Sequence, residues 1–244
     1  MTARVSTTDR VFASLREAIV SGAMEAGSRH SIYRLAEEHG VSRTPVRDAV
    51  LRLADANLVT IERNRGVVVR AVTADDVREV FELRLLLEVP AAQHAARRVD
   101  DHLAGRLRDQ LAELEEAAER EDEEAFQRHD RTLHTMIDSV PGNGRLAAEV
   151  STLRESIQAR GAVTVHRSRG LADILAEHRP IVEAICAGDV ERAAATMSAH
   201  LVSTASLLIE QAGGDPSSML LWMREQAGIV EQSGISEPRV EEES

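Results

Sequence analysis

The chain has 244 residues, of which 43% are hydrophobic and 29% charged, a globular composition long enough for one large domain or two small ones. Only 2% of residues are aromatic, so a core must be built from Leu, Ala, Val and Ile, which favours helices packed on helices. The single cysteine, Cys186, excludes an internal disulfide and a cysteine-based metal site.

The net charge of −12 argues against nucleic acid as a partner for the chain as a whole. The charge is unevenly spread. Residues 1–73 hold eleven Arg against eight carboxylates, whereas the remainder holds eighteen Arg against thirty-three; Lys is absent throughout. Only the first part has the sign expected of a DNA-contacting surface, and its excess is modest, so specific contacts and dimerisation must supply much of the affinity. The start, MTARVSTTDRVF, has no apolar signal core, and no apolar run approaches membrane-spanning length. The expectation is a cytoplasmic protein with no membrane partner.

In chain order, Thr7, Thr8 and Asp9 precede a helix whose apolar positions Val11, Phe12, Leu15 and Ile19 recur at helical spacing, with Gly22 at its end. Residues 23–30 read as a connection. Ser31 sits at the N-cap position of a second helix carrying Ile32, Leu35 and Ala36, and Gly40 stands where that helix should stop. Ser42 then caps a third helix, with Pro45 in its first turn, where a missing N–H costs little. Val46, Ala49, Val50 and Leu53 form its buried side. Arg43, Thr44 and Arg47 lie opposite, at its leading end, and the two Arg are four residues apart on one face. Such a helix suits a DNA major groove. Taken alone it is also compatible with an ordinary helical hairpin bearing a solvated face.

The next stretch of chain decides between the two. Val59-Thr60-Ile61 and Val67-Val68-Val69 are short β-branched runs around a polar tip, Glu62-Arg63-Asn64-Arg65-Gly66. That is the pattern of a winged helix–turn–helix, with two Arg and a Gly that allows close backbone approach to phosphate.

Thr73 can cap a further helix whose first turn carries Asp75 and Asp76. No long Gly/Ser linker precedes it, so the two parts should be coupled mechanically. From here to about Gly213 the chain reads as helical throughout. A long helix holds Val77, Val80, Phe81, Leu85 and Leu86, with Pro90 as a potential kink. The next are marked by Leu103, Leu107, Leu111 and Leu114; by Phe126, Leu133 and Ile137; by Leu146, Val150, Leu153 and Ile157; by Leu171, Ile174, Ile181 and Ile185; and by Met197, Leu201, Thr204 and Leu208. Gly and Pro break every stretch, which excludes a continuous coiled coil. Residues 219–223 (MLLWM) predict a short docking helix, and the polar, acidic end predicts disorder.

Four polar residues interrupt these apolar faces: Asp130 and His134, four apart on the side of Phe126 and Ile137; His178 between Ile174 and Ile181; and His200 between Met197 and Thr204. Each His alone is compatible with a satisfied core histidine. Three helices presenting imidazoles inward, one with a carboxylate on the same face, point instead to a divalent metal such as Zn, Ni, Mn or Fe. Four ligands either close a tetrahedral structural site or leave positions open on an octahedral ion, where a small carboxylate could bind. Arg84 is a candidate to neutralise such an anion; its alternative is a salt bridge to Glu88.

The chain resembles the GntR-family transcription regulators of the FadR subfamily with an FCD-type C-terminal domain, over residues 8 to about 210. The likeness rests on LREAIVSG, GVSRTPVRDAVLRLADANLV and RNRGVVV, then on ELRLLLE, DRTLH followed by PGNGRL, EHRPIVEAICAGD and AAATMSAHL. It implies a mainly α protein: a winged helix–turn–helix over 1–72, an all-helical antiparallel bundle over 73–213 for effector binding and dimerisation, and a tail over 214–244. It implies metal ligands at Asp130, His134, His178 and His200, with zinc foremost, in a cavity shared with a small organic-acid effector. It also implies DNA-reading positions at Ser42, Arg43, Thr44, Arg47 and Gly66, with Arg65 beside them. Tyr33 stands where the family often has Arg, and Ala26-Gly27 replaces a usual Pro-Gly.

The resulting expectation is a homodimeric, metabolite-responsive regulator, by default a repressor, on an inverted-repeat operator in double-stranded DNA. One alternative keeps the regulator and makes the metal purely structural. Another is a metal-dependent hydrolase or lyase, which would lack an evident general base and leave the winged part unexplained.

Overall fold

The computed structural model describes residues 6–62, 66–158, 160–165, 167–219 and 221–222, with Val20 given by its backbone alone. Two separate hydrophobic cores organise it.

The first core is built by α1 (Thr7–Val20), α2 (Ile32–Glu38), α3 (Arg43–Asp55) and a three-stranded antiparallel sheet. Ser6 caps α1 by accepting from the Asp9 N–H, and Val11, Leu15 and Ile19 are buried. Gly40 takes φ +62° between α2 and α3, in the left-handed region that ends a helix cheaply only with glycine. Val46, Ala49, Val50 and Leu53 are all buried, as their spacing predicts. The sheet runs β1-β3-β2, with β2 (Val59–Glu62) and β3 (Gly66–Val69) forming the wing. The connection over 23–30 is not structureless: Arg29–His30 form β1, which pairs with Val68 and Val67. Two residues become a strand there because β3 offers them a ladder, a long-range partner that local sequence does not reveal.

The second core lies in a bundle of α4 (Ala74–Arg97), α5 (Asp101–Glu119), α6 (Glu123–Ser139), α7 (Gly144–Gln158), α8 (Leu171–Cys186) and α9 (Val190–Gln211). Thr73 and Asp76 form a reciprocal capping box at the start of α4, which continues through Pro90. Along α7 the buried stripe is Val150, Arg154 and Ile157, while Leu153, expected inside, is only partly buried. Met219 is fully buried in the bundle and Trp222 packs against it, so the segment after α9 docks on this bundle. The disorder expected beyond residue 222 lies outside the described residues. Among the described residues, no helix is long and apolar enough to cross a membrane.

Candidate nucleic-acid interface and metal centre

Ser42, Arg43, Thr44 and Arg47 are all exposed at the leading end of α3. Ser42 occupies the N-cap position with extended backbone, but its hydroxyl makes no capping hydrogen bond. The capping role read from sequence is therefore only half fulfilled, and the hydroxyl is left for another acceptor or donor. The Arg43 guanidinium lies 5.4 Å from the centre of the Tyr33 ring, and the Tyr33 hydroxyl donates to Glu37. Tyr33 thus props the side chain of the neighbouring helix's first Arg.

Gly66 opens β3 at φ +103°, and a Cβ there would fall 2.4 Å from the His30 carbonyl oxygen. Glycine is demanded at this position by the close passage of β1, a structural reason independent of phosphate. Arg65 lies outside the described residues.

In the bundle, His134, His178 and His200 come from three helices and meet: their ring centres are 4.4–5.4 Å apart. All three are buried. The ring nitrogens facing away from the meeting point are each tied to an acceptor. His134 Nδ1 donates to Glu88 Oε2 at 2.6 Å, His178 Nδ1 to the Ile174 carbonyl at 2.8 Å, and His200 Nδ1 to Glu177 Oε2 at 2.9 Å. Carboxylates and carbonyls only accept, so each Nδ1 carries the proton and each Nε2 keeps a free lone pair. Two of these, on His134 and His178, are 3.3 Å apart. Asp130 Oδ1 stands 2.9 Å from His178 Nε2 and 4.0 Å from His134 Nε2.

These separations fit a divalent ion. Bond lengths of about 2.0–2.1 Å put tetrahedral ligands roughly 3.4 Å from one another. One ligand atom from each of the three histidines lies within 4.8 Å of the others, so the triad can hold a metal. Asp130 adjoins the triad as a fourth donor, but its second oxygen is engaged by the Arg154 guanidinium.

The charges agree with that chemistry. Burial, reinforced by Arg154, pulls the His134 pKa down to about 4. Burial and the neighbouring His178 pull His200 down to about 3. Neutral imidazole is the form that binds metal. Burial raises the Asp130 carboxyl, but the Arg154 guanidinium outweighs it and holds the group well below its ordinary value. Glu177 is likewise pushed up by burial yet brought down to about 2 by His200, Ser203 and Arg169.

Asp130 and His200 form part of the wall of a cavity of about 740 Å³. Arg84 also lines it and makes the salt bridge that sequence offered as its alternative role, with Nε donating to Glu88 Oε1 at 2.6 Å. The salt bridge is the observed arrangement, and Arg84, through Glu88, also bears on the orientation of His134. Arg16 of α1 and Ser21, its C-cap, also line the cavity, and Arg16 pairs with Glu155 of α7 at 3.8 Å.

Comparison with known proteins adds to this geometry. Residues 7–69 match the family model of bacterial regulatory proteins, gntR family, and residues 79–203 match the FCD domain, which is more than half of the chain. The chain belongs to the GntR family, with an FCD domain. This is a family of transcription regulators, not of enzymes. This GntR-family chain is 37% identical over 100 residues to the gluconate operon transcriptional repressor of Bacillus licheniformis, a match covering 41% of each. It is 28% identical over 191 residues to an HTH-type transcriptional regulator in an unstable DNA locus of Streptomyces ambofaciens, covering 78% of this chain and 80% of that one. A solved structure of a GntR transcriptional regulator from Rhodococcus sp. RHA1 aligns with a TM-score of 0.66 at 26% identity, covering 83% of this chain and 97% of that one.

Four site residues of this GntR-family member are not evident from sequence as parts of the centre. Glu88 is visible there only as a partner for Arg84, and Leu153 reads as inward in place of Arg154. Glu177 and Arg169 link α8 to α9: Arg169 donates to Glu177 at 2.6 Å and to the Thr204 hydroxyl at 2.8 Å. A signal for Arg154 does exist, since 150, 154 and 157 share a helical face.

Proposed function

We propose that the protein is a homodimeric DNA-binding repressor of the FadR subfamily, whose DNA affinity responds to a small carboxylate held beside a divalent metal. Residues 1–72 would be the DNA-binding unit and 73–213 the effector and dimerisation unit. The observation that carries this reading is the convergence of three buried imidazoles, each with Nδ1 tied to an acceptor and one of them, His200, on the wall of a cavity, within the same chain as an exposed recognition helix.

Asp130, His134, His178 and His200 would hold the ion, zinc being the first choice for three nitrogens and an oxygen. A bound divalent ion supplies positive charge to which a carboxylate can bind. Glu88 and Glu177 hold the imidazoles in the ligating tautomer, and Arg154 sets the orientation of Asp130. Arg84 adds a buried guanidinium to the cavity wall.

At the other end, Arg43, Thr44 and Arg47 would enter the major groove, and Ser42, Arg65 and Gly66 would contact the phosphate backbone. Two copies would read an inverted repeat. A ligand shifts this equilibrium only if it binds the two arrangements of the dimer unequally. The name of the Bacillus relative, a repressor, supports repression as the sign.

The test is fluorescence anisotropy on the protein's own promoter, with metal content measured on the same sample. Stoichiometric metal, tight promoter binding and loss of affinity on adding a carboxylate support the reading. Metal whose removal leaves the carboxylate response intact would make the ion structural. Promoter binding untouched by Arg43→Ala plus Arg47→Ala would remove the groove assignment.

A further inference from the structure

Helix α4 packs against α6, α7, α8 and α9 and holds Val77, Phe81, Leu85, Ala92 and Ala96 in the core. Its other side follows a different rule. Residues 79, 83, 86, 90, 93 and 97 succeed one another at alternating intervals of four and three, and none of them is buried. That is the heptad spacing along which one helix packs lengthwise on another. The middle of this stripe is apolar. Leu83 is 48% exposed and Leu86 54%, Pro90 is exposed, and Leu87 beside them is half-buried. Large apolar side chains gathered on one exposed face are stabilised by a partner that covers them.

The two ends of the stripe carry opposite charge. At the start of α4, Asp75, Glu79 and Glu82 share one cation, Arg78, which leaves a surplus of negative charge. At its end, Arg97 and Arg98 are exposed and make no ion pair among the described residues. Turned end for end about a point between Leu86 and Leu87, the stripe falls on its own complement. Leu83 meets Pro90, Glu79 meets His94 with Arg97 one turn on, and Asp75 meets Arg98. A parallel copy would set carboxylate against carboxylate and guanidinium against guanidinium. A face that complements itself when reversed is what a two-fold axis requires. The chain's own tail is a poorer match, because residues 223–244 hold six carboxylates against two Arg and complement only the basic end.

We propose that a second copy of this chain docks here, α4 against α4 in antiparallel orientation, with the two-fold axis passing between Leu86 and Leu87. The inference rests on the reading of the protein as a homodimer, and it adds the face and the register.

The experiment is sedimentation equilibrium on the full-length protein, with oxidative cross-linking as the second readout. Wild type should be a dimer. Leu86→Glu should raise its dissociation constant about tenfold or more. Helical circular dichroism should be unchanged, because Leu86 is already exposed in the single chain. Arg97→Glu should weaken the dimer, and Glu79→Arg added to it should restore the dimer. In a Cys186→Ser background, Leu86→Cys should give a disulfide-linked dimer and Glu79→Cys should not. Antiparallel pairing puts the two copies of residue 79 roughly 20 Å apart, whereas a disulfide needs Cα atoms within about 7 Å. A wild-type dimer untouched by Leu86→Glu, or a dimer linked through Glu79→Cys, overturns the inference and leaves the homodimer reading standing. In a Leu86→Cys, Ile229→Cys variant, a disulfide formed within one chain and not between two would seat the tail on the stripe, and overturns it as well. Wild type sedimenting as a monomer at every concentration overturns the homodimer reading itself.

Discussion

Arg154 and Asp130 form a buried pair in which one carboxylate oxygen meets the guanidinium while the other faces His178 at 2.9 Å. One ion pair therefore joins α6, α7 and α8. Removing one partner of a buried pair leaves the other charge without compensation, at a cost of about 3–5 kcal/mol. Arg154→Ala should destabilise the protein by that amount in urea unfolding, and Arg154→Met by less, because the methionine fills the space. If Arg154→Ala shifts the midpoint no more than an exposed Arg→Ala control, the pair is not structural.

The metal centre depends on residues one step removed from the ion. Glu88 and Glu177 fix the Nδ1 protons of His134 and His200. Replacing such partners typically lowers metal affinity 10–100-fold. Glu177→Gln should do so in competition with a chromophoric chelator, and His178→Ala should abolish stoichiometric binding. An unchanged zinc affinity in Glu177→Gln would show that the tautomer is fixed by other means.

Much of this centre is legible in the sequence because a buried polar residue breaks a periodic apolar stripe visibly. Asp130, His134, His178 and His200 each do so. Arg154 breaks its stripe in the same way, but a charged residue beside Leu153 reads as surface until the tertiary structure supplies Asp130 as its partner. Glu177 precedes His178 in sequence and belongs to a different side of α8. Only the packing of α9 shows that it serves His200. The wing is equally plain, whereas β1 exists only through its ladder with β3, and the need for glycine at 66 comes from the carbonyl of His30, far back in the chain. Local pattern reports which residues turn inward; contacts between elements report what they do there.

Tyr33 has a role that its departure from the family pattern does not announce. It lies against Arg43, and an exposed cation–aromatic contact is worth about 0.5–1 kcal/mol. Tyr33→Ala should therefore weaken operator binding by roughly two- to fivefold through Arg43, and should have no further effect in an Arg43→Ala background. Tyr33→Arg should instead steepen the salt dependence, since each added phosphate contact raises the slope by about 0.9. Anisotropy at several salt concentrations separates the two.

Asp76 ties the start of α4 to the end of α7. It accepts from Thr73 in the capping box, and Arg160 lies 2.9 Å away. Partial burial raises its carboxyl, but Thr73 and Arg160 outweigh burial and hold it below its ordinary value of 3.8. A carboxyl lowered in the folded state adds stability that is present above the unfolded value and is lost as pH falls through the folded one. The wild type should therefore keep its advantage over Asp76→Asn from about pH 5 to the unfolded value of 3.8 and lose it as pH falls further. Chemical denaturation of both proteins across that range checks it. A constant difference would show that the charge of Asp76 contributes nothing.

Arg16 of α1 and Glu155 of α7 make an ion pair at the cavity wall, and their side chains are 42% and 58% exposed. An exposed pair of this kind is worth about 0–1 kcal/mol, so neither Arg16→Ala nor Glu155→Gln should alter the unfolding midpoint measurably. Its position matters more than its strength. Glu155 is on the same helix as Arg154, the partner of Asp130, while Arg16 is on the first helix of the unit that would bind DNA. A ligand that moves α7 changes this contact, and a change of up to 1 kcal/mol between two states alters coupling by up to about fivefold. Arg16→Ala should thus reduce the ratio of operator affinities measured with and without the carboxylate effector, while leaving effector binding to the free protein unchanged. Linkage makes the reciprocal measurement equally diagnostic: operator DNA must change effector affinity by the same factor in each variant. A ratio identical to wild type in both measurements would mean that the signal travels through the Thr73 cap and the linker instead of across this contact.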